Sequence, residues 1–173
     1  PGLSGSLIVG SSFAKSLSQT LSIPMTDVDH MKAHIHSIFL KNKESRYPKF
    51  PFLSLTVSGG HTQLVIVNDY NDFKKIGNTL DDAAGEAFDK TSKFLGLGYP
   101  GGPIIDNLSK KGKPIFKFGK PKIKNYDFSF SGLKTSIIYF IKNRLEKNSN
   151  FIKNNINDIC SSIQHSIVEI LVQ

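Results

Sequence analysis

Phe52-Leu53-Ser54-Leu55-Thr56-Val57, then Ser58-Gly59-Gly60-His61-Thr62, then Gln63-Leu64-Val65-Ile66-Val67 is the stretch that decides the fold. Its outer parts alternate or run apolar with β-branched residues, which predicts two strands, and the glycine pair between them predicts a tight turn. The polar turn Asn68-Asp69-Tyr70-Asn71-Asp72 follows, and a third strand is expected near residues 73–76, which makes a β-meander.

Helical spacing surrounds this meander. Residues 3–21 place Leu3, Leu7, Ile8, Phe13, Leu17 and Leu21 at helical intervals until Pro24, which predicts a buried helix. Residues 25–28 are long enough only for the tip of a strand. Asp29 stands where an N-cap belongs, ahead of a helix expected over 30–40. Residues 41–49 are polar and read as a surface loop. Another helix is expected over 82–95, stopped by Gly96 and Gly98, then a short one over 104–110 with Pro103 near its first position. Residues 111–125, rich in Lys and Pro, lack a period; two amphipathic helices are expected over 132–147 and from 154 onward. The fold class is α/β.

Composition narrows the function classes. The 173 residues are 39% hydrophobic and 21% charged, enough apolar content for a packed core. No run approaches the roughly 18 apolar residues of a membrane span and no signal-peptide pattern is present, so no membrane partner and a cytoplasmic location are expected. Cys160, the single cysteine, falls among Ile156, Ile159, Ile163 and Ile167 and reads as a small buried hydrophobe. A net charge of +8 suits a polyanion partner; equally, an excess made almost wholly of lysine is what drift in an AT-rich genome leaves. The first and last residues lack start and cap signals, so an internal fragment of a longer protein is expected.

Several groups carry chemistry. His30 and His34, four residues apart on one helix face, can offer two nitrogens to a Zn²⁺ or Fe²⁺ ion, or can simply cap and pack. A metallopeptidase of the His-Glu-x-x-His kind needs a glutamate where this chain has Met31, which counts against that chemistry. Ser58-Gly59-Gly60 is either a backbone nest for phosphate or an ordinary hairpin turn. Asp82, Glu86 and Asp89 are expected to crowd one helix face, answered by sugar hydroxyls or a metal-bound ligand, or by Lys90 and Lys93. Gly101-Gly102 gives a second accessible bend, with Asp106 following to accept from a ribose. Phe128-Ser129-Phe130-Ser131-Gly132-Leu133-Lys134-Thr135 turns into a helix whose start either faces an anion or is capped by serine.

Taken in order, His-x-x-x-His, Leu55-Thr56-Val57-Ser58-Gly59-Gly60-His61-Thr62-Gln63-Leu64, Thr79-Leu80-Asp81-Asp82-Ala83-Ala84-Gly85-Glu86-Ala87-Phe88-Asp89-Lys90, Gly98-Tyr99-Pro100-Gly101-Gly102-Pro103 and the 128–135 motif resemble the tRNA adenosine threonylcarbamoyltransferase family of the TsaD type, once taken for a sialoglycoprotein endopeptidase. The likeness extends to Pro1-Gly2-Leu3-Ser4-Gly5 and so to essentially the whole chain.

The resemblance implies an actin-like ATPase (ASKHA) fold, here partial: residues 1–27 the end of a first lobe, 28–173 an incomplete second lobe holding the metal and nucleotide motifs. It implies transfer of threonylcarbamoyl from threonylcarbamoyl-AMP to the N6 amine of the adenosine 3′ to the anticodon, in tRNAs reading codons that begin with A. Partners would be tRNA, threonylcarbamoyl-AMP and other proteins of the pathway. By the same resemblance His30 and His34 match metal ligands, for one Fe²⁺ or Zn²⁺ per subunit. Thr56, Val57, Ser58, Gly59 and Gly60 match the loop around the adenylate's phosphate and acyl end, and Asp89, Gly102 and Asp106 match its nucleoside contacts. Lys32-Ala33 departs from the Glu-Gly more usual between the histidines, and a cation there weakens metal binding. The family's amino-terminal phosphate loop, later asparagine contact and third metal ligand have no counterpart in these residues, so the fragment alone is expected not to turn over. A non-catalytic actin-like nucleotide-binding scaffold is the alternative, and a metallopeptidase a more remote one.

Overall fold

A computed structural model describes residues 4–40 and 47–173, which form two compact units, Pro1–Pro48 and Lys49–Gln173. Residues 1–3 of the opening motif and 41–46 of the expected polar loop lie outside the described residues.

In the first unit, α1 (Ser4–Leu21) forms where helical spacing places it, but none of its residues is buried. Leu7, Ile8, Phe13 and Leu17 are exposed, because no described element of this unit lays an apolar surface over them. The expectation of a buried helix is corrected accordingly. Residues 25–28 make no strand; a lone extended segment has no ladder to join. Next comes α2 (His30–His36), shorter than expected, continued by one 3₁₀ turn, Ser37–Phe39. Asp29 is its N-cap, as its position predicts: its carboxylate accepts the Lys32 N–H at 2.8 Å.

The second unit is α/β. Strands β1 (Phe52–Val57), β2 (Thr62–Val67) and β3 (Phe73–Asn78) form an antiparallel sheet in the order β1-β2-β3, the expected meander. Leu55 pairs with Leu64 and Val57 with Thr62, which fixes residues 58–61 as the connecting turn. β3 runs two residues further than the apolar pattern reached, because Gly77 and Asn78 still pair with Leu64 and Gln63 of β2, and a distant segment binds Asn78 as well. Its carbonyl accepts the Phe128 N–H at 2.9 Å, and its own N–H donates to the Asp127 carboxylate at 2.9 Å.

Four helices follow: α3 (Ala84–Phe94), α4 (Gly101–Ser109), α5 (Ser131–Lys147) and α6 (Phe151–Val172). Gly96 at φ +74° and Gly98 at φ +102° reverse the chain after α3, a backbone that L side chains resist. The core lies among the helices. Ile105, Phe130, Leu133, Ile137 and Ile141 meet the α6 stripe of Ile159, Cys160, Ile163 and Ile167, all essentially inaccessible to water. Burial pushes the Cys160 thiol up to about 11, so it stays protonated and packs as a hydrophobe. α6 begins three residues earlier than its spacing suggests and bends at Asn155, where φ is −126°.

Between α4 and α5 the chain runs without regular structure, as expected, yet it is firmly seated. The Lys113 N–H donates to Asp158 at 2.8 Å, the Phe116 N–H to Ser162 at 3.1 Å and the Gly119 N–H to Ser136 at 2.7 Å. Phe116 packs within an aromatic cluster with Phe140 and Phe151. Among the described residues no helix is long and apolar enough to cross a membrane.

Candidate nucleotide and metal sites

In the first unit the two histidines converge. One turn of helix separates them, and their Nε2 atoms stand 2.7 Å apart with ring centroids at 4.4 Å. His36 turns away and lies near the Phe39 ring. Metal–nitrogen bonds of 2.0–2.1 Å put two nitrogens on one tetrahedral ion roughly 3.3 Å apart. The rings therefore need open only by about half an ångström to share a cation. The donor set suits Zn²⁺ or Fe²⁺, and it is two ligands only: no group of three His, Cys, Asp or Glu side chains gathers among the described residues. The Lys32 N–H bond holds the Asp29 carboxyl below its usual range, so the cap is anionic at the start of this helix.

In the second unit the turn between β1 and β2 rests on the first turn of α3. The Ser58 N–H donates to the His61 carbonyl at 2.8 Å, the His61 N–H donates to the Ser58 hydroxyl at 3.1 Å, and the Ser58 carbonyl accepts the Gly85 N–H at 3.2 Å. Buried Thr62 accepts the Ala84 N–H at 2.9 Å, which ties the start of β2 to the same helix end. A side chain on Gly85 would lie 2.6 Å from the Ser58 carbonyl and 2.7 Å from the Gly59 Cα. Gly85 is thus a glycine because the turn sits against it.

Gly59 and Gly60 differ in kind. Neither has a left-handed φ, and a Cβ on either would meet nothing within 4 Å. Nothing in the folded chain demands glycine there, so the turn offers bare, exposed backbone. Thr56 is half-buried and Val57 exposed at the end of β1, both leading into it.

One helical turn beyond Gly85, the Asp89 carboxylate accepts the Gly101 N–H at 2.7 Å. This explains why α4 begins at Gly101, earlier than expected: a carboxylate from another helix takes its first N–H. Pro103 consequently sits in the first turn, where its missing N–H costs nothing. A Cβ on Gly101 would fall 2.5 Å from the Phe88 carbonyl, so α3 and α4 cross with backbones nearly touching, while Gly102 faces open space. Asp106, one turn along, is bound by Lys110 at 2.6 Å, and Gln164 of α6 donates to its other oxygen at 3.4 Å. The Lys110 hydrogen bond holds the Asp106 carboxyl below its usual range. Gly85 and Asp89 lie on one stripe of α3, so the glycine turn, Asp89 and the start of α4 line one side of it.

The expected face of three carboxylates does not form. Asp82 precedes the helix, Asp89 turns to α4, and Glu86 alone shares a lysine with Asp82: Lys90 reaches Asp82 at 2.6 Å and Glu86 at 2.8 Å. Lys134 reaches Asp82 from α5 at 2.9 Å, and Lys93 makes no ion pair among the described residues. Burial raises the Asp82 pKa, but the hydrogen bonds from Lys90 and Lys134 outweigh it and hold the carboxyl below its usual 3.8. Asp82→Asn is therefore expected to lower stability by about 1–3 kcal/mol near neutral pH, since two ammonium groups lose their counter-charge. The depressed carboxyl contributes above its unfolded pKa and ceases to as pH falls through its folded one. Urea midpoints of wild type and variant should converge once the pH has fallen through the folded-state value, which lies below 3.8.

At the start of α5, where the sequence admits either an external anion or a serine cap, the anion is the chain's own Asp81. It accepts from the Ser129 hydroxyl and from the Phe130 N–H at 2.8 Å. Asp81, Thr62, Gly85 and Gln164 are not singled out by spacing. Only the Asp81-Asp82 doublet offers a signal, as two adjacent acids where one helix cap would suffice.

The family model for tRNA N6-adenosine threonylcarbamoyltransferase, TsaD, matches residues 1–173. A tRNA N6-adenosine threonylcarbamoyltransferase of Riemerella anatipestifer is 56% identical over 173 residues, 99% of this chain and 51% of its own length. One from Christiangramia forsetii is 53% identical over 99% of this chain and 51% of its length, and one from Porphyromonas gingivalis 51% identical over 100% and 52%. The chain spans about half the length of the curated relatives it matches. With the family model covering every residue, the chain belongs to the tRNA N6-adenosine threonylcarbamoyltransferase family.

Proposed function

We propose that the complete protein transfers threonylcarbamoyl from threonylcarbamoyl-AMP to the N6 amine of the adenosine 3′ to the anticodon, in tRNAs reading codons that begin with A. The observation that carries this reading is the open glycine turn docked on α3 beside Asp89. Ser58, whose own N–H is bound by the His61 carbonyl, shapes the turn, while backbone N–H groups at Gly59 and Gly60 suit an adenylate phosphate, because no side chain stands between them and an oxyanion. Thr56 and Val57 border its acyl end. Asp89 retains a second oxygen and Asp106 is a half-buried carboxylate one turn along α4, both acceptors for nucleoside hydroxyls, and Gly102 leaves open space beside them.

His30 and His34 would hold one Fe²⁺ or Zn²⁺ per subunit, with the remaining ligands from elsewhere in the complete protein. Bound there, such an ion supplies Lewis acidity toward a carbonyl. The chain's own part in transfer is to grip the leaving AMP at the turn and fix its nucleoside along α3 and α4, so that attack by the amine is directed at the carbamoyl carbon. The whole protein is read as an actin-like ATPase fold, with residues 1–27 closing one lobe and 28–173 in the next, acting in the cytoplasm with partner proteins that deliver the adenylate.

Full-length protein given threonylcarbamoyl-AMP and an unmodified tRNA transcript is expected to yield the threonylcarbamoylated nucleoside, read by mass spectrometry of the digested tRNA. Adenylate binding without transfer would replace this reading with the scaffold, and casein cleavage would replace it with a peptidase.

A further inference from the structure

The chain's charge is unevenly distributed. Of its 22 basic residues, seven fall within residues 110–124, where there is no Asp or Glu; the other 15 nearly balance the 14 acids. Drift toward lysine would have spread the excess, whereas almost all of it lies on the connection between α4 and α5.

That connection is anchored from beneath. Its backbone is bound by Asp158, Ser162 and Ser136 of the two helices under it. Gly112 is packed so tightly that a Cβ would lie 2.2 Å from the Asn157 carbonyl, and Phe116 and Phe118 point inward. Two of the seven lysines are spent within the fold, Lys110 on Asp106 and Lys120 on Glu169. The remaining five, Lys111, Lys113, Lys117, Lys122 and Lys124, are exposed and form no ion pair among the described residues. Held like-charged ammonium groups with no internal partner repel one another, and an external polyanion relieves that repulsion.

We infer that this lysine strap is a docking surface for the phosphate backbone of RNA. The inference rests on the proposed reading that the complete protein acts on tRNA. A cluster of exposed cations on a backbone held in place from beneath suits a polyanion, and lysines act there as sequence-tolerant point charges.

The test is tRNA binding by the full-length protein across a series of KCl concentrations, for wild type, a variant with all five lysines changed to Gln, and one with all five changed to Arg. The Gln variant is expected to bind at least tenfold more weakly near 0.1 M salt. Its slope of log affinity against log salt should be shallower by roughly 0.7–0.9 for each phosphate that is no longer neutralised. The Arg variant should match wild type, and the Gln variant should melt no lower than wild type, because none of these side chains is used in packing and its charges no longer repel. A Gln variant with wild-type affinity and slope overturns the inference while leaving the proposed function standing, provided wild type still binds and modifies tRNA. Wild type that binds no tRNA sinks both. Loss of binding to phosphatidylglycerol vesicles with tRNA binding intact would assign the strap to a lipid surface and overturn the RNA reading.

Discussion

Full-length protein carrying His30→Ala and His34→Ala together is expected to lose its bound divalent metal and to transfer threonylcarbamoyl at least about a hundredfold more slowly. Geometry is the reason. The two Nε2 atoms already lie 2.7 Å apart on one turn of α2, so both are removed from the same point in space. Each ring alone is a weak monodentate donor; the pair gains from being prepositioned by the helix. The helix is started by Asp29 and Lys32 rather than by the histidines, of which His34 is exposed and His30 half-buried. Metal content measured on purified protein, beside the melting temperature, separates the two effects. Metal retained at wild-type stoichiometry in the double variant would remove the site from these residues, whatever the activity. Lys32→Glu should act oppositely and tighten metal retention, because it replaces a cation near the rings with an anion.

Gly59→Ala and Gly85→Ala should part company. Both add one methyl group, but at Gly59 it enters open space and at Gly85 it lands 2.6 Å from the Ser58 carbonyl. Gly59→Ala is expected to leave stability within about 0.5 kcal/mol of wild type, as for a surface position. Its affinity for a non-hydrolysable adenylate analogue should nonetheless fall tenfold or more, because the methyl occupies the space a phosphate oxygen needs. Gly85→Ala is expected to cost about 1–3 kcal/mol, since backbone on both sides must move apart, and to weaken the analogue as well by shifting the turn. Calorimetric titration with thermal melts distinguishes these outcomes. Equal analogue affinity for wild type and Gly59→Ala would mean that the turn holds no phosphate, leaving its bare backbone without a role.

Much of the fold is legible in the residues themselves. Alternating and apolar runs flanking Gly59-Gly60 specify the meander, and the 3.6-residue spacing specifies each helix, because both signals arise from which side faces a core. Boundaries escape where a partner from far along the chain intervenes. α4 starts at Gly101 because Asp89 caps it from another helix, and β3 reaches Asn78 because Gly77 and Asn78 continue the ladder with β2 while Phe128 and Asp127 bind Asn78 from far along the chain. α1 shows the converse: its apolar spacing is real, but burial depends on a neighbour that spacing does not name. At the site, the proximity of His30 to His34 follows from helix geometry alone. Which carboxylates answer to which cations does not, because Lys134 stands 52 residues from Asp82 in the chain and meets it only through the packing of α5 on α3.

Asp81 and Asp82 are neighbours in the chain, yet one caps the start of α5 and the other gathers lysines from α3 and α5. Consecutive side chains with separate destinations leave the link between β3 and α3 no slack. Adding or removing a single residue between Asn78 and Ala84 would deliver the wrong group to both places at once, so homologous chains should keep that spacing constant, whereas residues 148–150, which only connect α5 to α6, are free to lengthen.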